Sequence, residues 1–378
     1  MKAEWICPWS KASPVIRYAD KTCHPMNRYQ FVAWLVDFTV GGGTQWGAPP
    51  PPRVGNQPVM VDIGVNKRTQ KPRERAQRAG QGVIVVSLFD GVEGALLALR
   101  RAGIPVAEYW RVENDQWCNV AMEEDEVVKN CGVMDVTRIK GDEVGDKWPV
   151  WAMVDLFVMG FPCQGVSRAN VRGAGLLDKR SALFFDGVRI WRAIKAANPG
   201  AQALVECVAK WNKRAHFDFA CTFLAMEHIV TCSSRHSYCR RERTYWATWQ
   251  LLQPPRTRAE ADDILDEGRV AVDGDGQRTG KLATLMVHST SWNTGNPVWD
   301  ETTQWFDDLR VHEAERSMEM PEGHTAGHGR VPAAERLKMV GNSFNIRTVA
   351  ALLSQGQGAI SKRVRMTMEG GGHQRQNG

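Results

Sequence analysis

Val154-Asp155-Leu156-Phe157-Val158-Met159-Gly160-Phe161-Pro162-Cys163-Gln164-Gly165 is the stretch on which the reading of this chain turns. A short apolar run that stops at Gly160 and Phe161-Pro162 reads as a buried strand ending abruptly in a loop. Pro162 fixes its own φ and biases Phe161 towards extended geometry, so Cys163 is held stiffly at the strand's carboxyl end. In open α/β sheets that edge is where ligands bind. Taken alone, a cysteine there is better read as a small buried hydrophobe. Its surroundings have to overturn that.

Upstream, Val83-Ile84-Val85-Val86-Ser87-Leu88-Phe89 is a nearly unbroken apolar, largely β-branched run, the pattern of a fully buried strand. Asp90-Gly91-Val92-Glu93-Gly94 makes a tight turn, and Ala95 to Arg101 reads as a helix closed by Gly103. A second strand, Tyr109–Val112, ends at Glu113; a helix starts near Asn114-Asp115, and a third short strand ends at Asp135. Downstream come a helix from Ser181 to about Ala197, a strand over Ala203–Val208 carrying Glu206, a helix over 217–229, and strands near 229–234 and 244–251. The alternation predicts an α/β fold, a mostly parallel sheet with helices on both faces and right-handed crossovers. From Pro254-Pro255 to about Arg330 the chain reads as irregular, with Trp292, Trp299, Trp305 and Phe306 scattered through it; a last helix covers roughly Ile346 to Ser354.

This divides the chain into an N-terminal extension (1–40), a Pro/Gly-rich basic linker (41–82), a core (83–251), an irregular region (252–329), a C-terminal part of the core (330–358) and a tail expected to be disordered (359–378). Hydrophobic content of 43% and charged content of 24% over 378 residues fit a soluble globular protein. No apolar run approaches the roughly 20 residues of a membrane helix, so no membrane partner is expected. Met1-Lys2-Ala3-Glu4 opens no signal-peptide pattern. The nine cysteines lack CxxC pairing, which argues for a reducing, intracellular setting and against a structural metal; Cys7, Cys23 and His24 make no recognisable set. The net charge of +6 is compatible with a polyanionic partner, and Lys67, Arg68, Lys71, Arg73, Arg75 and Arg78 form a basic cluster that reads first as a solvated tail.

Three constellations carry chemistry. The glycine turn after the first strand lets a ligand approach the backbone beside a helix amino terminus. Glu113 follows Gly91 near the offset of about 20 residues at which an acid grips ribose hydroxyls, and Asp135 is placed to receive an adenine amino group. These point to an adenosine-containing cofactor. Cys163 and Glu206 both end sheet strands: an activated thiolate is a nucleophile, and a nearby carboxylic acid can supply or hold a proton. A protease would need a histidine to activate the cysteine, but His216, His228 and His236 sit on helical or exposed-looking segments. Attack on an electron-poor ring fits better. Arg241 and Arg243, at alternate positions entering the strand Thr244–Trp249, share a face and can clamp an anion or a carbonyl.

In order and spacing these stretches resemble the cytosine-5 DNA methyltransferase family. Phe89-Asp90-Gly91-Val92-Glu93-Gly94 looks like its S-adenosylmethionine motif, Phe161-Pro162-Cys163-Gln164-Gly165 its catalytic loop, and Gly175 to Phe184 the segment after it. Glu206-Cys207-Val208 is similar to its Glu-Asn-Val, Arg241-Glu242-Arg243 to its Arg-x-Arg strand and Gly341-Asn342-Ser343-Phe344 to its closing Gly-Asn-Ser motif. The resemblance covers 83–250 and 330–355 and leans loosely towards the eukaryotic de novo branch. It implies a Rossmann-like methyltransferase fold, with S-adenosyl-L-methionine held by Phe89, Asp90, Gly91, Gly94, Glu113, Asp135, Pro162, Asn342 and Ser343, and no metal. It implies catalysis by Cys163, Glu206, Arg241 and Arg243 on a cytosine flipped from double-stranded DNA, with 252–329 as the target-recognition region. Two positions depart: Glu93 stands where the family has glycine, and Cys207 where it has the asparagine that braces the catalytic loop. A tRNA cytosine-5 methyltransferase, a catalytically silent DNA-binding homologue and, more remotely, a nicotinamide-dependent oxidoreductase stay open on the sequence.

Overall fold

The computed structural model describes residues 82–122, 127–130, 135–139, 151–286 and 297–361, and the backbone of 15–17 and 23–25. Most of the N-terminal extension and linker, including the basic cluster, and nearly all of the tail lie outside the described residues. The chain forms two compact units. The larger comprises Gln70–Pro162, Leu183–Ala209 and Met226–Gly378; the smaller comprises Met1–Thr69, Cys163–Ala182 and Lys210–Ala225.

The larger unit is built on a seven-stranded sheet. Writing β1 for Val15–Arg17 and β2 for Cys23–Pro25, its strands are β3 (Val83–Leu88), β4 (Val106–Val112), β5 (Val128–Asn130), β6 (Leu156–Gly160), β7 (Gln202–Val208), β8 (Glu227–Cys232) and β9 (Glu242–Ala247). They lie in the order β5-β4-β3-β6-β7-β9-β8. Every residue of β3 is buried, as its apolar run predicts for a central parallel strand. β5, β4, β3, β6 and β7 are parallel, whereas β9 runs antiparallel to both β7 and β8. The reversal follows from chain length: the segment between β8 and β9 is too short for a parallel crossover, so the two strands form an antiparallel pair.

Helices α1 (Gly94–Arg101), α2 (Gln116–Ala121) and α3 (Phe184–Ala197) provide the crossovers, and α7 (Ile346–Ile360) packs on α1. α7 continues well past Ser354, through buried Gly356, where a Cβ would come within 2.5 Å of the Trp249 ring. The predicted strand to Asp135 is corrected: β5 stops at Asn130, and the Asp135 side chain caps a single 3₁₀ turn by accepting from Thr137 N at 2.9 Å. Asp is a strand breaker and a good cap, and here the cap wins.

The described residues between 252 and 329 are more ordered than their lack of periodicity predicts. β10 (Arg269–Ala271), β11 (Val298–Asp300) and β12 (Trp305–Asp307) form an antiparallel sheet, followed by α5 (Val311–Ser317) and, further on, α6 (Ala333–Asn342). Each strand has three residues, too few to show alternation. The sheet is anchored instead by an ion network: Arg269, with a side chain 1% exposed, reaches Asp300 (3.3 Å), Asp307 (2.5 Å) and Glu313 (2.8 Å). On the opposite face Val270, Trp299 and Phe306 form a cross-strand row, the two rings edge-to-face at 5.0 Å.

The smaller unit holds the paired β1 and β2, the cysteine loop and α4 (Arg214–Leu224). The helix predicted over 217–229 starts earlier and ends at Leu224, because Ala225 takes the left-handed conformation (φ 52°). The residues after it enter strand β8.

Candidate active site

In the larger unit the turn after β3 stores backbone strain: Phe89 (φ 55°) and Glu93 (φ 57°) both occupy the left-handed region beside Gly91 (φ 58°). Such strain persists only where surrounding contacts over-determine it, and it concentrates at ligand sites. A Cβ at Gly91 would meet nothing within 4 Å, so the turn is open on that side to an approaching group. Glu113, at the end of β4, accepts from Gly91 N at 2.7 Å and from Asn114 N and Asp115 N at 2.7 and 2.8 Å. A carboxylate has about four lone-pair directions, so it still has room for a ribose hydroxyl while it shapes the turn. Burial raises its pKa against those backbone donors.

Asp90 is a strut of this turn. Its Oδ1 accepts from Ser87 Oγ at 2.5 Å and from the Tyr109 hydroxyl, and burial raises its pKa while Arg111 opposes the shift. Glu93, where the resemblance expects glycine, is buried and lies 3.5 Å from Arg111 Nε, which is 3.6 Å from Asp90 Oδ2. Arg111 further donates to Gly91 O and Asn119 Oδ1, both at 3.2 Å. The added negative charge therefore meets a buried guanidinium. Gly94 packs against the closing segment: a Cβ there would be 2.9 Å from the Phe344 ring and 3.2 Å from Ser343 Oγ. Phe344 also borders Gly160, so the 341–344 segment sits beside the ends of β3 and β6, while Asn342 is exposed at the end of α6. An open glycine turn, an acid on the next strand and this closing segment fit S-adenosylmethionine. Asp135, on its capping turn, keeps its Oδ1 on Thr137.

At the same sheet edge Glu206, two residues before the end of β7, lies opposite Gly160, the last residue of β6. Its Oε1 is 2.9 Å from Arg243 Nε, with side chains 15% and 11% exposed. Burial raises the Glu206 pKa, and Arg243 and then Arg241 oppose that shift. Arg241 does not share this pairing: it donates to the carbonyls of Leu285 (3.3 Å) and Gly341 (3.1 Å), and burial with the adjacent Arg243 charge pulls it down to about 10. Arg243 is thus the arginine at the carboxylate, and Arg241 ties the closing segment to β9. Pro162 and Phe161 carry the chain out of β6, with the Phe161 ring 5.0 Å from that of Phe184.

Cys163 belongs to the smaller unit, where it is half-buried and opens a turn, its carbonyl accepting from Val166 N (3.0 Å) and Ser167 N (2.8 Å). Arg180, hydrogen-bonded to Asp178 at 3.1 Å, also feels the Cys163 thiol, which adds to the upward shift of its own pKa. His216 is buried rather than exposed, and its Nδ1 accepts from Leu176 N at 2.8 Å; His236 is likewise buried, in the larger unit. His216 lies on α4, in keeping with the helical reading, whereas the buried His236 does not fit an exposed segment. Sequence reasoning missed Asn212, whose side-chain amide reaches three carbonyls of the cysteine loop. It also missed Asn345, the buried cap of α7. An isolated asparagine after a strand gave no signal for the first; the second was legible as an Asx cap before an apolar helix.

A groove of about 470 Å³ opens just past the end of β8, lined by Arg235, Arg256, Arg258 and Lys281 with Glu260. β8 is parallel to β7, so the groove lies at the edge of the sheet that carries Glu206. Burial, and then the charges of Arg347, Arg235 and Lys281, push His236 beside it down to about 4. Among the described residues one His–carboxylate cluster, Asp266, His312 and Glu313, lies within ligating distance of itself, but Arg269, Arg310 and Arg316 hold it as an ion-pair hub. No described helix is long and apolar enough to cross a membrane.

Residues 83–203 match the family model of the C-5 cytosine-specific DNA methylase. Solved structures of similar fold include a Dnmt2 methyltransferase of S. pombe, with a TM-score of 0.56 at 15% identity over 72% of this chain and 97% of that one. A DNMT2 mutant of Spodoptera frugiperda (TM-score 0.52, 14% identity, 72% and 99% covered) and the Entamoeba histolytica methyltransferase EhMeth (0.52, 13%, 74% and 98%) are also similar. At these identities the likeness is one of fold, and it rests on the mostly parallel seven-stranded sheet. The turn after β3 and the Pro-Cys-Gln loop lie within the matched residues, and β7, which carries Glu206, begins at their end: over residues 83–203 this chain is similar to the C-5 cytosine-specific DNA methylase family.

Proposed function

We propose that the protein transfers a methyl group from S-adenosyl-L-methionine to carbon 5 of a cytosine flipped out of double-stranded DNA. The observation that carries the reading is the half-buried Glu206–Arg243 pair near the end of β7, beside the strand whose chain leads through Gly160 into Cys163. The groove of Arg235, Arg256, Arg258 and Lys281 at the same edge supports a polyanionic substrate.

The Cys163 thiolate adds to ring carbon 6, forming a C–S bond. Glu206, whose raised pKa keeps its proton available above the ordinary carboxylate range, protonates or hydrogen-bonds ring nitrogen 3. The electron pair of the carbon 5–carbon 6 double bond is then delivered at carbon 5. Arg243 fixes the carboxyl group in place. When bound, S-adenosylmethionine would supply an electrophilic methyl group, its sulfur–methyl bond breaking to leave a neutral thioether, and the turn at Gly91 with Glu113 and the 341–344 segment would hold it. Loss of the carbon 5 proton to a base then expels the Cys163 thiolate, nitrogen 3 returns its proton to Glu206, and the aromatic ring is restored. Flipping the base costs a few kcal/mol, offset by pocket contacts. The pairing of Glu93 with Arg111 supports an active rather than a silent site, since the pocket's added carboxylate is matched.

Methyl-labelled S-adenosylmethionine offered with duplex DNA and, separately, with tRNA tests the proposal. Label is expected at carbon 5 of DNA cytosine, and to vanish in Cys163→Ala while the cofactor still binds. Label entering tRNA alone would move the substrate to the tRNA-modifying class that shares these motifs. Full activity of Cys163→Ala would sink the mechanism.

A further inference from the structure

Within the smaller unit, the Asn212 side-chain nitrogen lies 2.9 Å from Gly165 O, 3.1 Å from Asn170 O and 3.2 Å from Gly173 O. An amide nitrogen has two hydrogens, so one of these contacts is shared. The Asn212 backbone N–H donates to Val166 O at 2.8 Å, Arg168 N donates to Lys210 O at 2.8 Å, and Ser167 and Trp211 form an isolated bridge. Residues 210–212 thus run as a splint along 166–168, and the Asn212 side chain reaches both limbs of the loop that begins at Cys163. Gly173 makes the room for the amide, since a Cβ there would stand 2.5 Å from the Asn212 nitrogen. Three carbonyls around one amide fix its orientation, because the flipped rotamer would set oxygen against oxygen. Asn212 Oδ1 is itself buried without a hydrogen-bond partner among the described residues, so the side chain serves the loop through its donors.

We propose that Asn212 is a positioning residue that holds the cysteine loop in its reactive shape. It supplies the brace that the motif resemblance assigns to the position held by Cys207. The inference rests on the reading of Cys163 as nucleophile. The Cys163 carbonyl closes its turn on Val166 and Ser167, and those residues follow the carbonyl of Gly165 that Asn212 grips. A misplacement of about 1 Å at a reacting atom costs on the order of 10²-fold in rate.

Asn212→Asp is nearly isosteric, removes both N–H donors and sets a carboxylate against three carbonyls. Single-turnover methyl transfer by the full chain should fall about 10²-fold, with saturable S-adenosylmethionine binding changed less than about twofold, since Gly91 and Glu113 belong to the other unit. The deficit should widen with pH, because the introduced carboxyl group can donate to a carbonyl only while it is protonated; a simple folding defect would not track that titration. Gly173→Ala puts a methyl group in the seat of the amide and should reproduce the loss at constant pH without adding charge. Rates are normalised to cofactor-binding protein, so a poorly folding variant still reports. Transfer by both variants within about threefold of the parent would overturn the inference. If Cys163→Ala is inactive in the same assay, the reading of Cys163 survives that result; if it is active, the reading itself fails.

Discussion

Arg111→Met tests the claim that the buried guanidinium is what makes Glu93 tolerable. Arg111 is 5% exposed at its side chain, Asp90 1% and Glu93 8%, and the guanidinium Nε lies 3.6 and 3.5 Å from the two carboxylates. At that separation and an effective dielectric of about 20, each pair attracts by roughly 4–5 kcal/mol before desolvation. Breaking a buried pair from one side costs about 3–5 kcal/mol, because the stranded charge is the larger part. Arg111→Met should therefore cost about 3–5 kcal/mol at pH 8. Glu93→Gly in that background removes one stranded carboxylate and a non-glycine residue at φ 57°, itself a strain of about 1 kcal/mol, and should recover roughly half the loss. Glu93→Gly alone exchanges that strain relief for one ion pair and should stay within about 1 kcal/mol of the parent. The pH dependence has a definite sign. Burial already raises the Asp90 pKa with Arg111 opposing it, and removing Arg111 raises it further. A raised folded-state value gives stability that is present below the ordinary carboxylate pKa and lost as pH rises through the folded one. The variant's deficit should accordingly be smaller at pH 5.5 than at pH 8. Urea titrations of the four proteins at both pH values read all of this. A deficit under about 1 kcal/mol at pH 8, or a double variant no more stable than Arg111→Met, would refute the reasoning.

Glu206→Gln removes the titrating proton and the counter-ion of Arg243 at 2.9 Å. Transfer should fall by about 10²–10⁴-fold, the usual weight of a general acid, at unchanged cofactor affinity, and the residual rate should lose its pH dependence on the acid side of neutrality; retention of the parent's rate would dismiss Glu206 as the acid. Arg256→Gln with Arg258→Gln removes two cations from the groove after β8. The slope of log K for duplex DNA against log salt should become shallower by roughly 2, at about 0.9 per contact; an unchanged slope by fluorescence anisotropy would take the groove out of the DNA footprint.

The parts of the fold that could be read from sequence are those where residue type alone fixes the environment. β3 and β6 are apolar runs that only a central parallel strand can bury, and both appear within a residue or two of their predicted limits. Cys163 after Phe161-Pro162 stands out only in company: alone it reads as a small buried hydrophobe, and the carboxylate of Glu206 on another strand end is what changes the reading. The three-residue strands β10–β12 were not legible, since an ion network centred on Arg269 holds them where periodicity would otherwise have signalled a sheet. The roles of Arg241 and Arg243 were not separable either: both lie at alternate positions entering one strand, and only the fold shows that one guanidinium meets Glu206 while the other reaches the backbone at 285 and 341.

Substitutions judged one at a time mislead most at the two departures from the family motifs. Glu93 looks like a charge thrust into a cofactor turn until Arg111, on the next strand, is found 3.5 Å away. The guanidinium has no local sequence signature, because a buried arginine in a strand reads as an exposed one. Cys207 looks like a lost brace until Asn212 is found with its amide on three loop carbonyls. In both cases the compensating residue follows within about one supersecondary unit of the departure, near in the chain but invisible without the hydrogen-bond geometry. A motif mismatch should therefore be weighed by whether the group it removes, or the charge it adds, still finds a partner. By that measure the turn after β3 has a partner for its added charge in Arg111, and the cysteine loop has a hydrogen-bonded support in Asn212.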